Sequence, residues 1–166
     1  MNLGLSDYLI TAFPSIIPKI RPLVRNKTIP DPLWLAGFVS AEGCFFVGIS
    51  KSSTIKIKAN VQLEFNITQH SRDYLLMKNL VEYLNCGKVY KKNNVSNYRL
   101  SKLSNLTEKI IPFFEKYPLI GTKSNDFEDF CTVVEMMKEK KHLTLEGLEQ
   151  IRKIKARMNT GREKSF

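Results

Sequence analysis

The chain has 166 residues and a mass of 19.1 kDa, with 43% apolar and 25% charged residues, an ordinary globular composition at one-domain length that argues against wholesale disorder. Lys plus Arg number 26 against 16 Asp plus Glu, for a net charge of +10, which points to a polyanionic partner; a merely soluble basic protein is the plain alternative. No apolar run approaches the ~20 residues of a membrane span. The opening MNLGLSDYLITAFPSIIPKI has no basic stretch before its apolar run and is broken by Pro14 and Pro18, so no secretory signal is expected. Cys44, Cys86 and Cys131 are odd in number and widely spaced, which fits reduced thiols in an intracellular compartment and no zinc site. His70 and His142 are the only histidines, so a multi-histidine metal site within one chain is excluded.

Residues 1–30 form an apolar arm in which Pro14, Pro18, Pro22 and Pro30 preclude a long helix. Its basic residues are Lys19, Arg21, Arg25 and Lys27, its one acid is Asp7, and it is expected to hug the surface. A helix is predicted over 33–41, with Asp31 as N-cap, Pro32 in the first turn and Gly43 as the stop. CFFVGIS (44–50) reads as a strand, 51–53 as a turn, and 55–68 as a long strand. In that strand Val61, Leu63, Phe65 and Ile67 alternate with Asn60, Gln62, Glu64 and Asn66, one face buried and one wet. Ser71 is expected to cap a helix carrying Met77, Leu80, Val81 and Leu84 and ended by Cys86-Gly87. Segments 88–92 and 97–101 pair across Asn93-Asn94 as a hairpin. A helix over 104–117 is kinked at Pro112. Asn125-x-x-Glu128 resembles a capping box opening the next helix. Thr144 caps the last helix, with Leu145, Leu148, Ile151 and Ile154 inward. The arm (1–30), a domain over 31–158 and a frayed tail (159–166) complete an α+β pattern, with two hairpins in one antiparallel sheet.

The segment 33–43 carries the most chemistry. Ala36, Gly37, Ser40 and Ala41 cluster as a small-residue face, as tightly crossed helices require, and Glu42 ends the helix where a carboxylate opposes the macrodipole by ~0.3–1 kcal/mol. An acid kept there either holds a cation or is simply screened by solvent.

Leu35-Ala36-Gly37-Phe38-Val39-Ser40-Ala41-Glu42-Gly43 resembles the signature of the LAGLIDADG homing endonucleases, with Ser40 in place of the family's more usual acid. The αββαββα order downstream agrees, so the resemblance spans roughly residues 31–140. It implies an αββαββα half-domain with a four-stranded antiparallel DNA-binding sheet, plus C-terminal helices. It implies that two motif helices pack together through Leu33, Ala36, Gly37, Ser40 and Ala41. Each helix then delivers its final acid, Glu42, to a Mg²⁺ ion, assisted by the backbone carbonyl of Gly43 or, less directly, of Ala41. One motif per chain implies a homodimer. The arm also resembles the connector before the second half of two-motif members, so an isolated half is the alternative. Gln69 resembles the family glutamine that orders water near the scissile phosphate, against a plain strand-end role. Lys123, expected just before the capped helix, resembles the active-site lysine, against a solvated loop lysine.

The sheet's wet face is expected to present Phe46, Gly48, Ser50, Lys56, Lys58, Asn60, Gln62, Glu64, Asn66, Lys88, Tyr90, Lys92, Asn97, Arg99 and Ser101. Between residues 43 and 103 there are ten Lys or Arg against three acids. Amides and a guanidinium on a twisted ribbon suit base edges in the major groove; strand-end lysines suit phosphates. The basic stretches 138–141 and 152–157 read as solvated helix faces, and His70 as a turn residue.

The expected function is a site-specific, divalent-metal-dependent double-strand DNA endonuclease. The resemblance implies that it acts as a homodimer on a long, near-palindromic target and leaves short cohesive 3′ ends. Mg²⁺ is the expected metal, with Mn²⁺ substituting and Ca²⁺ binding without cleavage; no organic cofactor and no membrane partner are expected. By resemblance the setting is organellar, mitochondrial or plastid. A maturase-like binder without cleavage is the rival.

Overall fold

The computed structural model describes residues 6–17 and 28–165, with side chains through residue 162. Pro18, Pro22, Lys19, Arg21, Arg25 and Lys27 of the arm lie outside the described residues. The frame is one antiparallel sheet of β1 (Gly43–Lys51), β2 (Ala59–His70), β3 (Lys88–Lys92) and β4 (Val95–Leu100), in the order β1-β2-β4-β3. The period-two pattern holds: Val61, Leu63, Phe65 and Ile67 are buried, and Asn60, Gln62, Glu64 and Asn66 are not. Asn93, at φ 51°, makes the two-residue turn between β3 and β4.

Beneath the sheet lies an aromatic core. Phe45 of β1 stacks on Phe65 of β2 at 5.1 Å between ring centroids and meets Phe130 at 5.3 Å. Tyr98 of β4 is fully buried, and its hydroxyl donates to the Cys86 carbonyl at 2.9 Å. Burial raises its pKa, so it stays protonated. Gly87, at φ +84°, passes under that ring, where a Cβ would fall 2.4 Å from it.

The helix α2 (Pro32–Glu42) opens as expected, with the Trp34 N–H donating to Asp31 Oδ1 at 2.8 Å. Gly43 ends it for a reason other than the one expected. Its backbone is extended (φ −75°), and it must be glycine because a Cβ would fall 2.6 Å from Val39 Cγ1 and 2.7 Å from Val39 O. Helix passes into strand with no intervening loop.

Several boundaries differ from the expected ones. Residues 52–58 form a loop, so Lys56 and Lys58 precede β2 and do not lie on it. Ser71 does not cap the next helix. His70 does the capping, its Nδ1 accepting from Arg72 N at 3.2 Å to open a 3₁₀ turn (Ser71–Asp73) ahead of α3 (Tyr74–Leu84). That helix ends with Asn85 in the left-handed region. The expected kink at Pro112 takes the form of a π-helical stretch (Leu106–Ile110) between α4 (Leu103–Asn105) and α5 (Ile111–Lys116), since proline supplies no N–H and crowds the carbonyl one turn back. The helix α6 (Thr122–Lys138) starts one turn before Asn125, so no capping box forms.

Thr144 caps α7 (Leu145–Ala156) by accepting from Gly147 N at 3.0 Å. Leu148, Ile151 and Ile154 are buried, but Leu145 is 70% exposed. The tail is not frayed through Arg162: a 3₁₀ segment (Asn159–Ser165) follows α7 and is tied down by ion pairs described below. The described arm, with its short α1 (Asp7–Ala12), does not hug the surface as expected, because every residue from 6 to 17 is exposed. No helix among the described residues is long and apolar enough to cross a membrane.

Candidate nucleic-acid interface and active site

Strand register builds the open face row by row. Cys44 of β1 pairs with Asn66 of β2, Asn66 with Arg99 of β4, and Arg99 with Lys88 of β3, so four side chains cross the sheet in one line. The next line runs Thr68, Asn97, Tyr90, and the lines on the other side pair Phe46 with Glu64, Gly48 with Gln62 and Ser50 with Asn60. Lys92, opposite Val95, ends the β3 row. Twelve of the expected face residues therefore share one surface. Lys56 and Lys58 flank it from the loop, and Ser101 lies just past β4.

Two members were missed. Thr68 accepts a 2.8 Å hydrogen bond from Asn97 Nδ2, and carrying the alternation one step past Asn66 would have found it. Lys155 of α7 sits 5.7 Å over the Phe46 ring, so α7 reaches the rim of this face rather than being wholly solvated.

The face is internally wired. Asn66 Nδ2 donates to Glu64 Oε1 at 2.9 Å, and Arg99 Nε lies 3.3 Å from the same oxygen.

The three expected catalytic residues lie on α2, β2 and α6, elements that adjoin at one end of the sheet. Glu42 is exposed at the end of α2, one residue before β1, with no hydrogen bond or ion pair among the described residues. Gly43 pairs with Ile67, so β2 runs on through Thr68 and Gln69 alongside that helix end. Gln69 is half-buried and shares the face of Ile67, away from the open-face rows. Lys123 lies in the first turn of α6, not before the helix as expected, with its ammonium 3.9 Å from Asp126 Oδ2. It acts on Cys44, the second residue of β1: burial pushes that thiol up and the Lys123 charge pulls it down. The Ser40 hydroxyl accepts from Ile120 N at 3.1 Å and so ties α2 to the turn that leads into α6.

The expected interface set divides. Leu33 is 67% exposed, Gly37 and Ala41 are exposed, and nothing lies within 4 Å of a Cβ built on Gly37. Ala36, in contrast, is 3% exposed inside its own domain, and Ser40 is taken up by hydrogen bonds within the chain, including one to Ala36 O at 2.7 Å. The outward stripe is thus Leu33, Gly37 and Ala41, beside the Trp34–Phe38 stack.

Sequence reasoning missed the acidic pair behind Lys123. Asp126 and Asp129 are buried on α6. Arg162 bridges them, Nε to Asp126 Oδ1 at 3.1 Å and Nη2 to Asp129 Oδ2 at 2.6 Å. Arg157 holds Asp129 at 2.6 Å, and Asn159 donates from its backbone to Asp126 and from its side chain to Phe45 O, both at 3.0 Å. The tail thereby covers β1, an edge strand.

Residues 35–134, more than half of the chain, match the LAGLIDADG endonuclease family. The chain belongs to that family. Its LAGLIDADG motif is α2 and the first residue of β1. A probable intron-encoded endonuclease of Neurospora crassa is 40% identical over 154 residues, covering 91% of this chain and 29% of the relative. The crystal structure of the LAGLIDADG homing endonuclease I-SmaMI bound to cleaved DNA superposes with a TM-score of 0.92 at 46% identity, covering 98% of this chain and 55% of that one. I-SmaMI bound to an uncleaved DNA target in the presence of calcium ions matches with a TM-score of 0.90 at 46% identity, over 95% of this chain and 54% of that one. This chain therefore spans about half the length of these solved LAGLIDADG structures and about a third of the Neurospora relative.

Proposed function

We propose that this chain is half of a site-specific, divalent-metal-dependent endonuclease that cuts both strands of a long, near-palindromic DNA target, and that two copies pair through their motif helices. What supports the reading is the unpartnered Glu42 at the end of α2, with Gln69 on the adjoining strand β2 and Lys123 acting on Cys44 of β1, next to a face of amides and cations. No three His, Cys, Asp or Glu side chains among the described residues group as a closed metal cage would need. One carboxylate plus backbone carbonyls instead suits a hard cation that keeps its waters and takes phosphate oxygens from a substrate, as Mg²⁺ does. Glu42, with the Gly43 carbonyl and less directly that of Ala41, would hold Mg²⁺; Mn²⁺ would substitute and Ca²⁺ would occupy the site without supporting cleavage. When bound, the metal supplies an activated water and stabilises the leaving oxygen.

The chain's own residues do the rest. Gln69 offers an amide at the end of β2 to order the attacking water. Lys123 presents a fixed positive charge to the phosphate as negative charge builds there. The sheet face reads base edges through Asn60, Gln62, Asn66, Asn97 and Arg99, and Lys88, Lys92, Lys56 and Lys58 grip phosphates. The exposed Leu33–Gly37–Ala41 stripe meets a second motif helix. Relatives encoded in introns support an organellar setting for this chain.

A selection of cleaved duplexes from a random near-palindromic library in Mg²⁺, repeated in Ca²⁺, tests the reading; cut ends in Mg²⁺ alone are expected, and sequence-selective binding with no cleavage in Mg²⁺ or Mn²⁺ would replace it with a maturase-like binder. The pairing has its own test. Because Gly37 has open space around it, Gly37→Leu should leave the single chain folded and abolish the dimer on sizing. A wild-type chain that runs as a monomer would favour a second reading, that the partner helix comes from another part of a longer protein. The half-length coverage of I-SmaMI supports that second reading.

A further inference from the structure

Glu64 is the sole acid at the described open-face positions of the four strands, and it stands where a polyanion would lie. An acid on such a face repels the phosphate backbone whatever the sequence, so its presence calls for a compensating role. The surrounding geometry supplies one. Asn66 and Arg99 are direct cross-strand partners, and Glu64 sits two residues from Asn66 on the same face. Its Oε1 accepts from Asn66 Nδ2 at 2.9 Å and forms an ion pair with Arg99, 3.3 Å from Nε. The carboxylate side chain is 23% exposed and the arginine 53%, so the base of the pair is sheltered and the tip is free. Because the ion pair engages Arg99 through Nε, its two terminal nitrogens are left available as a fork matching guanine O6 and N7. Asn66 likewise keeps its carbonyl oxygen and one amide hydrogen free, the pair of groups that adenine N6 and N7 require. On the far side of Arg99 is Lys88, a like charge that cannot hold it, and a cavity of about 560 Å³ opens beside the pair. Without Glu64 the guanidinium has room to swing, and no other ion pair among the described residues aims it.

We infer that Glu64 is a positioning residue for base recognition: it trades affinity for selectivity by orienting Arg99 and Asn66, and does not itself touch a base. The inference rests on the proposal that this face reads DNA. It predicts that neutralising the carboxylate strengthens binding while blurring discrimination, an outcome opposite to that of removing a reader.

The test measures binding in Ca²⁺ by wild type, Glu64→Gln, Asn66→Ala, Arg99→Ala and the Glu64→Gln/Arg99→Ala double variant. The probes are the duplex that wild type selects from a random library, all its single-base variants, and mixed-sequence DNA, with thermal midpoints to verify folding. Glu64→Gln should bind mixed-sequence DNA more tightly and lose at least about fivefold of its preference at the base pairs that Arg99→Ala and Asn66→Ala also affect. The double variant should show no further loss at the Arg99 base pair. An unchanged preference profile in Glu64→Gln would overturn the inference, as would a loss confined to a base pair that neither Arg99→Ala nor Asn66→Ala moves, because Glu64 would then be reading a base directly. A wild type with no sequence preference would overturn the reading of the face, and this inference with it.

Discussion

Removing Arg162 should destabilise the domain far more than an exposed tail residue would. Arg162→Ala strips the bridge from two carboxylates whose side chains are only 5% and 9% exposed. Deleting one partner of a buried ion pair costs ~3–5 kcal/mol. Asp129 keeps Arg157 at 2.6 Å and Asp126 keeps the Asn159 amide at 3.0 Å, so the loss falls below that range, at about 2–3 kcal/mol. For a domain of this size that is a drop in Tm of about 5–10 °C. Thermal unfolding followed by far-UV circular dichroism measures it, with urea midpoints as a second readout. Arg152→Ala is the control: its pair with Glu149 spans 3.1 Å, but the two side chains are 53% and 61% exposed, so little should change. In the cycle with Asp126→Asn, the double variant should lose less than the sum of the two single losses. An Arg162→Ala protein that melts within a degree of wild type would refute the reasoning and return the tail to the frayed state expected from sequence.

Glu42→Gln should abolish cleavage in Mg²⁺ and leave DNA binding largely intact, because it removes a metal-binding charge and keeps the shape; cutting at the wild-type rate would remove Glu42 from the site. On the reading face, Gln62→Ala should relax preference at one base pair per half-site by ~1–3 kcal/mol, whereas Lys92→Ala should weaken all duplexes alike and reduce the salt slope by about one. Binding titrations across base variants and salt concentrations separate the two, and Leu63→Ala, 3% exposed on the opposite face, should instead cost ~2–5 kcal/mol of stability. Burial pushes the Cys131 thiol up to about 12 from its ordinary 9.0, so between these values the unfolded chain loses a proton that the folded chain keeps, and stability falls as pH rises. Cys131→Ala should flatten the decline in urea midpoint over that alkaline window, and an undiminished slope would assign it elsewhere.

What was legible in the sequence was whatever rests on local period or local chemistry. The alternation from Val61 to Ile67 needs no partner to be read, because a half-buried strand repeats every two residues; it assigned the open face, and the register then joined rows from four strands. Asp31 and Thr144 were recognisable caps because a cap is satisfied within three residues. The failures share the opposite property. The 52–58 loop interrupts a run that would pass for strand, since Ile55 and Ile57 alternate as strand residues do, while Lys58 adopts φ 54°. Asn125 and Glu128 have capping-box spacing, yet the chain turned earlier, at Gly121 with φ +67°, and put Lys123 inside the helix. Arg162 looks like any tail arginine until the fold brings Asp126 and Asp129, more than thirty residues upstream, beneath it.

The motif helix shows the same division within a single element. Small residues at 36, 37, 40 and 41 mark a helix that something approaches closely, but they do not say what. Ala36 is small because its own core crowds it, and Ser40 is small and polar because it must accept from Ile120 N across to α6. Of the residues expected at the interface, only Leu33, Gly37 and Ala41, at i, i+4 and i+8, remain open. In the proposed pairing, the surface offered to a second motif helix is this stripe, beside Trp34, and it leads to Glu42 at its end. A contact so close to the acid would couple assembly to the active site: whatever sits on Gly37 determines where a second carboxylate stands relative to the first.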